Sequence, residues 1–132
     1  MESYNELELA PASVVLESAR QYAEAFTNTP QYQNFVKAYN AFLEDDMAQG
    51  ILYQLRQKQE QMRNQRLSAP ISEEDQAEVK RLDQALYEQA TVKVYLAAQN
   101  ELVALAQEQG DVLSEALGLD FAAVCRTGGC CG

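Results

Sequence analysis

Prolines and turn-forming residues cut this chain into segments whose apolar residues return every three or four positions, and that spacing confines it to helices. Pro11 suits the first turn of a helix reaching about Thr27, whose apolar stripe is Val15, Ala19, Tyr22, Ala23 and Phe26. Asn28-Thr29-Pro30 reads as a stop and restart, with Thr29 as N-cap and Pro30 at the first helical position. The second helix carries Phe35, Ala38, Tyr39 and Phe42 along one side, an aromatic stripe suited to core packing. Glu44-Asp45-Asp46 is the one tight acid cluster. Consecutive helical positions point apart, so the three carboxylates do not converge, and Asp45 or Asp46 capping the next helix is the simpler account.

A third helix is expected from about Met47 to Arg66, with Ile51, Leu52, Leu55 and Met62 inward; Gly50 within it marks a close helix contact or a kink. The segment Leu67-Ser68-Ala69-Pro70-Ile71 breaks the pattern, and Ser72 with Asp75 forms a capping-box variant. Val79, Leu82, Leu86 and Ala90 then make a narrow seam, and Val92, Tyr95, Leu96, Leu102, Val103 and Ala106 a broader one. No breaker separates these two stripes, so they read as two helices or as one with a bend. Gly110 is expected to precede a last short helix, Val112 to Leu117, closed by Gly118 in the C′ position. No alternating β-branched runs with hairpin turns occur. The expected fold is all-α, a helical bundle with a long antiparallel helical hairpin from the third and fourth helices. Residues 1–121 would form a single helical domain and 122–132 a flexible, Cys/Gly-rich tail. A hairpin of that length and narrow seam either stands as a thin arm or packs on a second copy, and a symmetric dimer is the expectation.

Composition narrows the chemistry. The 132 residues carry a net charge of −10 and contain no histidine. Without imidazole there is no Ser–His–Asp or Cys–His arrangement and no histidine ligand for catalytic zinc. No phosphate-binding glycine loop or nucleophile elbow is present. The chain is therefore expected to bind rather than to catalyse. An acidic surface disfavours direct nucleic-acid binding and anionic membranes. The polar, acidic N-terminus and the absence of a long apolar run point to a cytoplasmic protein. Arg56, Lys58, Arg63 and Arg66 form the one basic concentration; on a helix they fall on more than one face, so a solvated surface is the favoured reading, with a local contact to an acidic partner or to RNA as the alternative.

All three cysteines, Cys125, Cys130 and Cys131, fall among glycines in the last eight residues. Clustered thiolates in a glycine-rich backbone suit a metal or an iron–sulfur cluster, although three are one short of the Cys₄ set of a [4Fe–4S] cluster. A partner, a second copy or an exogenous thiol would complete it. The alternatives are a thiol-based metal-binding or redox protein, with Cys130 and Cys131 as its working pair, a simply reactive tail, and an adventitious disulfide formed on oxidation.

Thr29-Pro30 followed by Phe35, Ala38, Phe42, Asp45-Asp46, Ala48 and Ile51 resembles the first block of the YlbF/YmcA/YheA family of regulators. The run Val92-Lys93-Val94-Tyr95-Leu96-Ala97-Ala98, through Leu102 to Leu117, resembles the second, so the likeness spans about residues 12–121. It implies an all-helical, non-catalytic adaptor that forms homodimers or hetero-oligomers with related helical regulators. It further implies a role in developmental programmes, a link to messenger-RNA processing through ribonuclease Y, and an iron–sulfur cluster held by cysteines placed like Cys125, Cys130 and Cys131.

Overall fold

The structure, a computed structural model, describes residues 11–127. It consists of α1 (Ala12–Thr27), α2 (Pro30–Glu44), α3 (Asp46–Gln65), α4 (Glu73–Tyr87), α5 (Ala90–Leu117) and α6 (Phe121–Thr127). No strand occurs among the described residues, as expected of an all-α fold.

Local chemistry sets the boundaries. Thr29 caps α2 by accepting from the Tyr32 amide at 3.3 Å, with Pro30 in the first turn. Asp45 closes α2 and opens α3, accepting from the Ala48 amide at 3.1 Å. Ser72 caps α4 by accepting from the Asp75 amide at 3.2 Å, and Glu73, Glu74 and Asp75 lie at the positive end of that helix dipole. Gly118, at φ 66°, takes the left-handed conformation that ends α5, where its amide and that of Leu119 satisfy the last carbonyls.

Two expectations need correcting, and one open alternative closes. α5 does not stop at Gly110: it runs unbroken to Leu117, because one glycine weakens a helix without ending it when good helix formers flank it. α4 and α5 are two helices rather than one bent rod, since Gln89 adopts extended backbone (ψ 132°) between them. Gly50 marks neither a close contact nor a break, for a side chain there would meet nothing within 4 Å and α3 continues through it. Of the tail expected over 122–132, the first part belongs to α6, and residues 128–132 lie outside the described residues.

α2 and α5 form the main pair and run in opposite directions. Tyr95, early in α5, stacks near Phe42, late in α2, whereas Gln31 at the start of α2 borders the same hollow as Leu105 and Glu108. Ala38 and Ala98, both buried, let these backbones approach closely. α3 and α4 form the second pair: Lys58 reaches Asp75, Met62 lies near Ile71 and Val79, and Leu52 near Leu86. Leu55 and Leu82 are their buried residues, and Ala48 and Val92 are buried near the starts of α3 and α5. The two pairs are fastened together where the Thr91 hydroxyl donates to the Asp45 carboxylate at 2.6 Å.

Those six residues, none larger than leucine, are the whole buried apolar set among the described residues. α1 contributes nothing to it.

Candidate docking surface

The four basic residues are not gathered into one site. Lys58 turns to α4 and pairs with Asp75 at 2.6 Å. That ammonium and the Ser72 hydroxyl hold the Asp75 carboxyl below its ordinary value, against the opposing effect of burial. Arg56 borders a groove between the two helix pairs. Only Arg63 and Arg66 come together, at the end of α3, where with Gln59, Met62, Ile71 and Val79 they line a hollow of about 250 Å³. Their place at the carboxyl end of α3 also suits the negative end of its dipole.

The acid cluster splays, with Asp45 in extended backbone between α2 and α3. Glu44 and Asp46 are exposed, while Asp45 turns inward to Thr91 and to the start of α3. The hydrogen bond from Thr91, then that from Ala48, lower the Asp45 pKa. Among the described residues no group of three or more His, Cys, Asp or Glu side chains could hold a metal ion. Cys125 lies in α6 by its backbone; Cys130 and Cys131 fall outside the described residues.

What the surface does offer is apolar area. The groove between the helix pairs, about 500 Å³, is walled by Tyr39, Phe42, Leu43, Leu52, Leu86, Tyr87, Tyr95 and Leu96. Tyr95 organises one wall, its ring centroid 5.6 Å from Phe35, 5.8 Å from Tyr39 and 5.5 Å from Phe42. The aromatic stripe of α2 therefore covers α5 on one side and stays half open on the other; Tyr39 is 40 % exposed. Sequence periodicity placed Phe35, Tyr39 and Phe42 on one face correctly, but the meeting with Tyr95, more than fifty positions on, carries no local signature.

A second apolar region lies at the opposite end of the α2–α5 pair. α1 leaves α2 through the Asn28-Thr29 turn and exposes Val14, Val15, Leu16 and Tyr22 along its length. α5 overshoots the start of α2, and the stretch from Glu108 to Leu117 extends roughly 14 Å at 1.5 Å per residue. That overhang exposes Val112, Leu113 and Leu117, followed by Leu119 and Phe121. Monomeric soluble proteins rarely leave so many large apolar side chains in continuous stripes unless something covers them. No helix among the described residues is long and apolar enough to cross a membrane.

The family model described as control of competence regulator ComK, YlbF/YmcA, matches residues 15–118. RicA of Bacillus subtilis, whose crystal structure was solved in complex with RicF, superposes with a TM-score of 0.74 at 22 % identity, over 82 % of this chain and 96 % of that one. At that identity the likeness speaks for the fold. No curated protein matches the chain in sequence.

Proposed function

The chain belongs to the YlbF/YmcA family, and from that premise we propose that it is a non-enzymatic regulatory adaptor, one that self-associates and docks a larger protein partner. The observation that carries this reading is the imbalance between inside and outside. Among the described residues, six small or medium apolar side chains are buried, while eighteen large ones are more than a third exposed. Binding surfaces account for such a distribution, and a catalytic cleft does not. RicA was crystallised with another protein, RicF, which supports protein docking as the working mode of this fold.

The pathway we propose is a developmental one acting at the level of RNA processing, reached through the partner. The net charge of −10 argues against direct contact with RNA. Cys125, Cys130 and Cys131 are proposed as ligands of an iron–sulfur cluster. Three thiolates per chain favour a cluster completed by a partner or a second copy over a self-contained one. Iron and sulfide analysis after anaerobic purification tests that part separately: iron-free protein with intact thiols would remove it and leave the adaptor reading standing.

The adaptor reading is tested by anaerobic affinity capture from the native organism, with the wild-type chain and with a Leu43→Glu/Tyr87→Glu variant. A protein partner recovered in stoichiometric amount by the first, and lost from the second while its helicity is kept, is the expected result. Turnover of a substrate by the isolated chain, or failure to recover any such partner, would overturn it.

A further inference from the structure

The groove around Tyr95 and the hollow at the end of α3 lie one after the other on a single flank of the α3–α4 pair. At 100° per residue, Leu52, Arg56, Gln59, Arg63 and Arg66 fall within about 80° of one another on α3. Lys58 falls on the other flank, beside Asp75 and Glu78. Across from the arginines, α4 supplies Leu86 to the groove and Val79 to the hollow. The flank is thus a trough. Its floor is apolar, with Leu52 and Leu86 toward one end and Met62, Ile71 and Val79 toward the other, and its α3 rim carries arginines.

Those arginines have nothing to hold. All three are exposed, and the ion pairs among the described residues, Arg20–Glu17, Lys58–Asp75 and Arg81–Glu78, take none of them. Glu60, one turn from both Arg56 and Arg63, pairs with neither. On the α4 rim, Lys80 and Asp83 offset each other in charge. A chain with 20 acidic residues against 10 basic ones has carboxylates to spare for every arginine, yet leaves these three unpaired.

An arginine fork meets a carboxylate with two parallel hydrogen bonds. Nucleic acid would find the same guanidinium groups, but a long polyanion must also approach a body of net charge −10, and it gains little from an aliphatic floor. A short acidic helix with one apolar stripe satisfies floor and rim together. From Leu52 to Arg66 the trough runs roughly 21 Å, the length of a helix of about 14 residues. Arg56 and Arg63 stand about two turns apart, the spacing at which carboxylates on a partner helix face the same way.

We infer that the occupant of this flank is an acidic amphipathic helix of the protein partner, its apolar stripe on the floor and its carboxylates on Arg56, Arg63 and Arg66. The inference rests on the adaptor reading for the existence of that partner and adds the chemistry by which it is recognised. Exposed charge pairs of this kind select and steer the partner, while the floor supplies most of the hold.

The probe is a synthetic helical peptide of about 18 residues, with leucines at three- and four-residue spacing and glutamates on either side of that stripe. It is titrated with the full-length chain by fluorescence anisotropy at about 0.05 M sodium chloride, beside a control peptide with lysine at each glutamate. The acidic peptide is expected to bind at least about tenfold tighter than the control, and to loosen as salt rises. The triple variant Arg56→Glu/Arg63→Glu/Arg66→Glu should lose at least about tenfold in affinity for it. The triple lysine variant should lose far less, and far-UV circular dichroism should report wild-type helicity for both. No binding of the acidic peptide, equal binding of the two peptides, or indifference to charge reversal would overturn the inference. So would a fall in oligomeric mass of the reversed variant by light scattering, which would give the flank to a second copy, or tighter binding of single-stranded RNA than of the acidic peptide. Because the probe is synthetic, these outcomes are independent of capture from the organism: a native partner recovered by a chain whose flank fails them leaves the adaptor reading standing.

Discussion

Asp45 shows how much of this fold hangs on single side chains. Its backbone ends one helix, one carboxylate oxygen starts the next, and the other oxygen receives Thr91 from a third. Because these bonds favour the ionised form, its pKa in the folded chain lies below the unfolded value of about 3.9. The stabilisation is therefore fully present above that value and is lost as pH falls through the lower, folded one. Asp45→Asn keeps an acceptor for Ala48 but removes the charge. Its melting temperature is expected to lie below wild type at pH 7, with the gap shrinking below about pH 4, as thermal melts at several pH values would show. The caps Thr29, Asp45 and Ser72 were legible in sequence because each acts on an amide three residues away. Thr91 as the partner of Asp45 was not, because forty-six positions separate them and only the packing of α5 on α2 brings them together.

The first four helices followed from period and punctuation, α6 lies where a tail was expected, and the misplaced boundaries have a common cause. Gly110 looked like a stop because glycine is a poor helix former, yet the flanking Gln, Glu, Leu and Ala residues carry α5 across it. Conversely, nothing in Tyr87-Glu88-Gln89-Ala90 announces a break, and Gln89 turns extended where α5 sets off along α2. A side chain at Gly110 would meet nothing within 4 Å. Gly110→Ala is accordingly expected to stabilise the protein by about 0.5–1 kcal/mol, measured by urea denaturation. A loss of stability would mean that a second molecule approaches the backbone there. The candidate site was less legible than the helices. The Arg56, Lys58, Arg63 and Arg66 concentration is dispersed by helical geometry, and Lys58 is taken up by Asp75. The apolar stripes were visible as periodicity, but periodicity does not distinguish a face that meets its own chain from one that meets another.

For the molecule as a whole, two opposing effects set the behaviour in solution. Apolar surface drives copies together, and the net charge of −10 on each pushes them apart. Added salt screens the second and leaves the first, so association is expected to tighten between about 0.05 and 0.5 M sodium chloride. If the native state is dimeric, the melting temperature should rise with protein concentration at fixed salt, which calorimetry over a hundredfold range would reveal.

A fold with so little interior also inverts the usual map of tolerance to change. In most domains of this length, surface positions accept substitution freely and hidden ones do not. Here Val15, 60 % exposed, and Leu113, 41 % exposed, should prove as intolerant of polar replacement as Leu55, which is 5 % exposed. Saturation mutagenesis scored by cellular activity, set beside the same library scored by abundance, would separate them: Leu55 should fail in both, and the two outer positions chiefly in activity.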